Sequence, residues 1–504
     1  MGNYVFFIGG SGARVYKSLI HSAAAGLLKT EELTVLLIDA DKSNYANESS
    51  VSLYREYKSL YNYFKEYGGQ EFSCDIRMES ENVLSPVQTD AVNLDLAVGS
   101  GSSDRNRILK CFYTHEEINQ DLKGGFYAHP NIGCIFFSAF ANKEFNQCLN
   151  KIQTQLDNNI EVRIALVGSI FGGTGAAGIP TIYKLISNKF KDHANYNKLQ
   201  MGGIFLEPYF KVNGKREAGN KNIEIKMEDF YFNTYEALSY YRANKSMKFQ
   251  SIYLLGQQTL DNVNNEYVES GRGQDNKSHI IELVASFAID RFLSYPKESG
   301  IFGMVRKGKL DWKSFPINKS ESIDMPMLKL AAFARAQAVF LTEVYEYIDE
   351  LKGGIQEKLG ILIPQWYKVF GLKLGKEKDK AELMKQYSIS FMEWLWMINS
   401  TYDEMGVLTA DKEIKLFGFP LKNVYDLSQT NSDSGIETEN KKLALKEFQK
   451  NFNNFVDTAS NVEYVLDKVL IVLSLAGIVS GHVAEAGIVG LFIKIISLVS
   501  SQKE

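Results

Sequence analysis

Two short glycine-rich segments are the residues of this sequence best suited to chemistry. Gly9-Gly10-Ser11-Gly12 and Gly172-Gly173-Thr174-Gly175 each follow an apolar run and open a helical pattern. At a helix start, the free backbone N–H groups and the positive end of the helix dipole suit phosphate oxygens. Glycine allows the phosphate to approach, because a Cβ would keep it from the amides. One such turn is a weak signal, since tight strand–helix connections also use glycine, but two predict a phosphate site.

The elements that must position these turns are predicted from buried runs that alternate with helical patterns. Strands are predicted at 4–8, 34–38, 134–140, 162–168, 201–206 and 251–255, and helices at 13–28, 143–158, 178–189, 227–243 and 280–293. Buried β-branched runs separated by amphipathic helices are typical of parallel βαβ units. We therefore expect an α/β fold with a doubly wound, mostly parallel sheet.

Length and patterning predict two domains of different character. At about 150 residues per domain, the 504 residues correspond to roughly two to four domains. Residues 1–324 carry the strand–helix alternation, with a polar insertion rich in Tyr, Ser and Asn at about 42–123. Residues 325–504 show helical periodicity without a convincing strand run, so we expect a helical C-terminal domain there.

An apolar tail at 469–499 contains two nearly uncharged runs, with Lys494 inside the second. Each run is shorter than the ~18 residues that suggest a membrane-spanning helix. Two interpretations stay open, namely buried helices that pack on the protein or a partner, and a hairpin that contacts a membrane.

Composition argues against several other classes. The 56 Lys and Arg against 60 Asp and Glu give a net charge of −4, which argues against a broadly basic surface, so we expect no nucleic-acid partner. The four cysteines form no C-x-x-C pair, and the apolar start lacks a basic leader, so neither a disulfide framework nor a signal peptide is indicated. We expect a reduced, cytoplasmic setting.

Known nucleotide motifs leave one competing interpretation. The pattern G-x-x-x-x-G-K-[ST] is absent from the sequence, which argues against a P-loop NTPase. The first glycine turn lacks the third glycine of the dinucleotide fingerprint, but Asp39 at the end of the second predicted strand suits a ribose-binding acid. A dinucleotide-dependent oxidoreductase is therefore an alternative, although it leaves the second glycine turn unexplained.

The glycine-rich and acidic segments follow one another along the chain in an order that resembles that of the nucleotide-binding loops of the tubulin/FtsZ family. Ile170 to Gly178 is similar to the family's phosphate-wrapping signature G-G-G-T-G-[ST]-G, and Gly9 to Arg14 is similar to the first loop, which lies under the diphosphate. Asp39-Ala40-Asp41 resembles the second, acidic loop near Mg²⁺. Ala128 to Gly133 is similar to the third loop of FtsZ, which senses the terminal phosphate, and Leu206 to Tyr209 resembles the ribose-side loop of tubulin.

The resemblance covers about residues 1–315 and implies binding of GTP or GDP with Mg²⁺. It places Asp39 and Asp41 near the metal, and Asn276 or His279 near the base edge. The cofactor-binding residues that it implies are Gly9, Gly10, Ser11, Gly12, Ala13, Arg14, Asp39, Asp41, Ala128, His129, Gly172, Gly173, Thr174, Gly175, Ala176, Glu207, Asn276 and His279.

Departures from the family bear on hydrolysis and assembly. Phe171 and Ala177 replace the first and last glycines of the signature. The family's N-x-D-x-x-D loop, which completes a neighbour's site, has its best counterpart in Lys309 to Ser314, where Asp311 is the one acid kept. A helical C-terminal domain resembles the divergent bacterial tubulin-like proteins.

The resemblance therefore implies a GTP-binding protein that self-associates as a homo-oligomer or filament. Weak GTP hydrolysis would be completed by the Asp311 position of a neighbouring subunit. The alternative is a non-hydrolysing, nucleotide-gated switch or scaffold, whose apolar tail acts on a membrane or on an unknown protein partner.

Overall fold

The computed structural model describes residues 1–67, 69–88, 92–98, 103–140, 142–211, 227–257, 276, 278–306, 329–330, 332–334, 336–337, 340–345, 374–403 and 487–500. The chain forms two compact units. The first comprises Met1–Leu19, Leu28–Tyr54 and Asp75–Ile317, and the second Ile20–Leu27, Arg55–Cys74 and Asn318–Glu504. The expected boundary at 324/325 stays a prediction.

A parallel seven-stranded sheet lies at the centre of the first unit. Its strands are β1 (Gly2–Ile8), β2 (Glu32–Ile38), β3 (Asp75–Met78), β4 (Val162–Ser169), β5 (Leu199–Leu206), β6 (Ser251–Gln257) and β7 (Gly300–Arg306). The spatial order is β3-β2-β1-β4-β5-β6-β7, so the chain reverses direction across the sheet between β1 and β4. The predicted doubly wound α/β fold class is confirmed.

In chain order, the helices within the described ranges are α1 (Gly9–Ala24), α2 (Tyr45–Phe64), α3 (Leu94–Val98), α4 (Ser103–Phe112), α5 (His115–Asn119), α6 (Pro130–Ser138), α7 (Lys143–Asp157), α8 (Gly173–Phe190), α9 (Met227–Ala243), α10 (Ile280–Ser294), α11 (Leu374–Asp403) and α12 (Gly487–Ser500), with a short 3₁₀ turn at Tyr196–Lys198 and a π-helix at Phe340–Tyr345.

One predicted strand is wrong and two strands escaped prediction. Most of the predicted strand at 134–140 belongs to α6, which has Pro130 in its first turn and buries Ile132, Phe136 and Phe137 at helical spacing. Proline there fixes a helical φ and lacks only a donor that would be unpaired anyway. The short β3 lies in the predicted insertion, and the edge strand β7 exposes Ile301, so neither shows a buried apolar run.

Helix α10 is buried along nearly its whole surface, with every residue from Ile280 to Asp290 buried. It carries two buried acids, Glu282 and Asp290, and a buried charge requires polar partners. Asp290 accepts hydrogen bonds from the backbone N–H groups of Lys29 and Thr30, at 3.0 and 2.9 Å. At the carboxyl end, the Arg163 guanidinium on β4 donates to the Leu293 carbonyl at 3.0 Å, where a cation also complements the helix dipole. Side-chain chemistry therefore fixes the end of α10 against the sheet.

The described part of the apolar tail packs inside the second unit. In α12, Ile488, Val489, Leu491, Phe492 and Ile495 are buried. The Phe492 ring lies 5.8 to 6.2 Å from the rings of three other phenylalanines, Phe64, Phe333 and Phe340. None of the helices within the described ranges is both long and apolar enough to cross a membrane. Residues 469–486 of the predicted tail lie outside the description.

Tight packing of α10 on β5 predicts the effect of an added methyl group. A Cβ at Gly202 would lie 2.7 Å from the Phe292 ring, whereas a Cβ at Gly303 would meet no described atom within 4 Å. We expect Gly202→Ala to lower the free energy of unfolding by about 1–3 kcal/mol through overpacking. Gly303→Ala, the matched control, should change it by less than about 0.5 kcal/mol. Urea titration measures both, and equal effects would contradict this account of the packing.

Candidate functional site

The two glycine turns lie against each other at one edge of the sheet. Because β1 and β4 are hydrogen-bonded parallel neighbours, the turns that follow them start side by side. A Cβ at Gly9 would lie 3.3 Å from the Thr174 Cβ and 3.4 Å from the Gly175 backbone nitrogen. Gly9 also has φ +79°, a left-handed conformation that favours glycine. Position 9 therefore requires glycine on two counts.

Glycines in the first turns of α1 and α8 bring the helix starts close to the strands. A Cβ at Gly12 would lie 3.0 Å from the Phe7 carbonyl carbon and 3.1 Å from the Val167 oxygen. A Cβ at Gly175 would overlap the carbonyl oxygen of Ser169. Ala13 and Ala176 are buried beside them. Helix α1 consequently begins directly after β1, and α8 begins after a short connection of residues 170–172 that follows β4.

Gly172 differs from these packing glycines. It is the N-cap of α8, and as glycine it supplies no side chain to accept from the first-turn amides. Those amides have no acceptor within the helix. A Cβ at Gly172 would approach only the Ser169 Oγ within 4 Å, at 3.0 Å, among the described atoms. This helix start therefore presents backbone donors at a place where an anion could bind.

The acidic loop after β2 joins the two glycine turns. Asp39 accepts a hydrogen bond from Asn47 Nδ2 at 2.9 Å and another from the Thr174 hydroxyl of the second turn. Burial raises the pKa of Asp39 to about 7, and the neighbouring Asp41 carboxylate also raises it. Asp41 Oδ1 accepts from the backbone N–H and the hydroxyl of Ser43 at 3.1 and 3.0 Å. The structure brings these acids together with Thr174.

Gly10 lies next to this acidic loop. A Cβ at Gly10 would lie 3.4 Å from the Asn44 Nδ2. Asn44 itself folds the loop, because its Oδ1 accepts the Ala46 N–H at 2.8 Å. Within the described ranges, no group of three or more His, Cys, Asp or Glu side chains is placed to hold a metal ion. Two carboxylates are sufficient for Mg²⁺ when phosphate oxygens complete its coordination.

A strained loop before α6 covers the start of α8. Tyr127 and Ala128 have φ values of 45° and 59°, which non-glycine residues rarely adopt. A Cβ at Gly173 would lie 2.8 Å from the Phe126 Cβ and 3.2 Å from the Ala128 backbone nitrogen. His129 is the N-cap of α6 without a side-chain cap bond. The predicted third loop is thus in direct contact with the second glycine turn.

Asn233 on α9 is a residue of this site that sequence reasoning missed. Its Nδ2 donates to the Ala128 carbonyl at 2.8 Å and to the Phe171 carbonyl at 3.1 Å. Both partners are backbone atoms, so no motif or spacing in the sequence marks the residue. It connects the strained loop to the segment that precedes the second glycine turn.

Phe171, which replaces the first glycine of the resembled signature, fills an aromatic cluster. Its ring is buried, 4.8 Å from the Phe230 ring and 5.7 Å from the Phe210 ring. Tyr209 packs against Phe171 and Phe210 in the same cluster. The Phe171 side chain therefore anchors the segment before the second glycine turn by packing in this cluster.

Glu207 follows β5, is half-buried, and has its carboxylate beside Gly256 of β6. Burial raises its pKa. A Cβ at Gly256 would lie 2.7 Å from the Glu207 Cβ, so the neighbouring strand β6 packs closely against it. The described residues provide no hydrogen-bond partner for its side chain. Such a carboxylate can accept hydrogen bonds from ligand hydroxyls.

Asn276, predicted near the base edge, is half-buried just before α10.

Arg14 and His279 have protein partners. Arg14 Nη2 lies 2.5 Å from Glu282 Oε1, and both side chains are buried. The Tyr209 hydroxyl donates to the same carboxylate oxygen at 2.9 Å and is also hydrogen-bonded to Ser11. His279 is the N-cap of α10, where its Nδ1 accepts the Ile281 N–H at 3.1 Å. Glu282, which sequence reasoning missed, is the centre of this network. Asp311 lies outside the described residues.

No protein-family model matches the sequence, and no curated protein matches it. CetZ from Methanosaeta thermophila strain DSM 6194 is similar at 12% identity with a TM-score of 0.21, over 58% of this chain and 52% of that one. CetZ1 from Haloferax volcanii, a GDP-bound monomer, is similar at 12% identity with a TM-score of 0.26, over 60% and 66%. This chain spans about half the length of the first of these structures and about two thirds of the second.

The fold and the site together define a doubly wound α/β protein whose sheet could bind an anion at the carboxyl ends of β1 and β4. The arrangement can supply backbone donors from α1 and α8, two carboxylates from the loop after β2, and one carboxylate after β5.

The buried Arg14–Glu282 pair predicts a large effect of removing one partner. Glu282→Gln should lower the free energy of unfolding by about 3–5 kcal/mol, because Arg14 keeps its charge in a buried place. Arg77→Met, which removes the ion pairs of a half-exposed arginine with Glu32 and Asp75, should cost no more than about 1 kcal/mol. Denaturant titration of both variants measures the difference. If Glu282→Gln were as mild as Arg77→Met, the pair would not be holding this network.

The raised pKa of Asp39 predicts a pH dependence of stability in nucleotide-free protein with a chelator present. Between pH about 4 and 7 the folded state keeps a proton that the unfolded state loses. Stability should therefore fall with rising pH, by at most about 1.4 kcal/mol per pH unit, and level off above pH about 7. Asp39→Asn should remove the share of this slope that Asp39 contributes, while the buried acids Glu207 and Asp290, whose pKa values are also raised, keep theirs. Asp192→Asn, an exposed control, should leave the slope unchanged. Thermal unfolding across this range tests it, and an unchanged slope in Asp39→Asn would contradict the assignment.

Proposed function

We propose that this chain binds a guanine nucleotide, GTP or GDP, together with Mg²⁺, at the edge formed by the two glycine turns. The observation that carries the proposal is the contact between the starts of α1 and α8, with Thr174 hydrogen-bonded to Asp39. Two helix N-termini directed to one place concentrate backbone donors and positive dipole ends, which suit a polyphosphate better than a single anion.

Each part of the site has a proposed role. The amides at the start of α8, beside Gly172, would bind phosphate oxygens. Asp39 and Asp41 would hold Mg²⁺, which neutralises phosphate charge when bound. Glu207 would accept hydrogen bonds from the sugar hydroxyls, and Asn276 would contact the base edge. The choice of guanine rests on the tubulin/FtsZ resemblance of the loops.

A dinucleotide oxidoreductase has less support from the same geometry. The strand order on either side of the crossover is shared with dinucleotide-binding domains. In those domains the acid after the second strand accepts hydrogen bonds from a ribose. Here Asp39 is buried and accepts a hydrogen bond from Thr174 of the second glycine turn, which supports a place for this carboxylate beside the phosphates.

Self-association with GTP hydrolysis is part of the same proposal. It rests on the resemblance of residues 309–314 to the family's inserted loop, in which Asp311 would complete a neighbour's site. A non-hydrolysing switch or scaffold would bind the same nucleotide without concentration-dependent turnover. Phosphate release measured against protein concentration separates the two, because a shared site requires turnover per subunit to rise as subunits associate.

Gly172→Asp is the most direct test of binding. The carboxylate would lie at the start of α8 and repel phosphate, while its Cβ meets only the flexible Ser169 hydroxyl among the described atoms. We expect GTP and GDP affinity, measured by calorimetry with Mg²⁺, to fall by about a hundredfold or more, which is about 2.7 kcal/mol. Gly303→Asp adds the same charge at an open position of β7 and should bind normally.

The nucleotide released from purified protein by denaturation should chromatograph as GTP or GDP. Wild-type protein that binds neither guanine nucleotide, or a folded Gly172→Asp protein with unchanged affinity, would refute the proposal. Preferential binding of NAD or NADP would favour the oxidoreductase alternative.

A further inference from the structure

Asn233 has an unusual set of partners for a residue in the middle of a helix. One side-chain nitrogen, Nδ2, reaches both the Ala128 and the Phe171 carbonyl oxygens, at 2.8 and 3.1 Å. An amide nitrogen carries two hydrogens, so it can donate to both acceptors at once. The side chain therefore fixes the distance between two separate loops from a third element, α9.

The loop that Asn233 holds is strained. Tyr127 and Ala128 are consecutive non-glycine residues with positive φ. Such conformations are unfavourable and persist only where surrounding contacts determine them. Other described contacts of this loop include the bond from the His129 N–H to the Phe126 carbonyl, the bond from the Tyr127 hydroxyl to the Asp121 carbonyl and the packing of Phe126. The Asn233 bond to Ala128 is made at the strained residue itself.

The same loop covers the start of α8. Gly173 allows this approach, because a Cβ there would lie 3.2 Å from the Ala128 nitrogen and 2.8 Å from the Phe126 Cβ. The loop and the first-turn amides of α8 thus form one surface. Moving Ala128 away would open that surface on the side of the second glycine turn.

We propose that Asn233 is a positioning residue, which holds the loop of residues 126–129 in its strained conformation over the phosphate-binding start of α8. For its consequence on nucleotide affinity, this inference rests on the proposed function. With the bonds in place the loop is ordered before the ligand arrives, so binding does not have to order it. Without them, part of the binding free energy is used to restore the loop.

Asn233→Leu tests the inference by removing both donors while keeping a similar shape. Glu236→Leu, one turn along the exposed side of α9, is the matched control. We expect amide hydrogen exchange in peptides covering residues 126–133 to become about fivefold faster or more in Asn233→Leu, corresponding to the loss of about one hydrogen bond. Exchange in β4 and the melting temperature should match those of the Glu236→Leu control.

A second readout separates positioning from simple destabilisation. GTP with Mg²⁺ should restore slow exchange in residues 126–133 of Asn233→Leu, and its affinity should fall by about fivefold. Asn233→Asp, which directs a carboxylate at two carbonyl oxygens, should show larger effects than Asn233→Leu, while Ser239→Asp, carrying the same charge on α9, should resemble wild type.

Unchanged exchange in the loop, or an increase spread equally over β4, would overturn the inference. Faster loop exchange with undiminished GTP affinity would overturn its link to binding. If wild-type protein binds no nucleotide but Asn233→Leu still loosens the loop, then the proposed function fails while the holding role of Asn233 stands.

Discussion

The hydrogen-bonded pairing of β1 with β4 is the constraint on which the candidate site depends. The two strands run parallel in register from Gly2 with Val162 to Ile8 with Gly168, although a long stretch of chain separates them in sequence. Their ends are therefore fixed within one strand spacing of each other. The helix that follows β1 directly and the helix that follows β4 after residues 170–172 must start beside each other, and this requires very small residues where they meet. Glycine at position 9 meets this steric demand, and the exposed helix ends follow from it.

A second constraint comes from the burial of α10. A helix surrounded by protein must have partners for every charged group that it carries. Glu282 receives Arg14 from α1 and the Tyr209 hydroxyl from the segment after β5. These partners come from the same edge of the sheet as the glycine turns. The network that compensates a buried charge therefore also connects the first glycine turn to the segment carrying Glu207.

Local patterns in the sequence were sufficient for the sheet strands with buried runs and for both glycine turns, because those features depend on neighbouring residues. They failed for 134–140, where a short apolar run fits strand and helix equally well and Pro130 decides in favour of the helix. They also failed for Asn233 and Glu282. The partners of these side chains come from distant segments, and two of them are backbone carbonyls, so only the fold brings them together.

The charge pattern of the edge favours a particular kind of ligand. Helix starts and unpaired amides attract anions, yet Asp39 and Asp41 lie beside them, and burial already disfavours ionisation of Asp39. A phosphate bound alone would add negative charge next to two carboxylates, which costs free energy in a buried setting. A phosphate that binds with a divalent cation suits both the carboxylates and the amides, since the cation would face the carboxylates and the phosphate oxygens would face the amides. The juxtaposition of donors and acids thus supports a metal-bound polyphosphate over a bare anion as the ligand of this site.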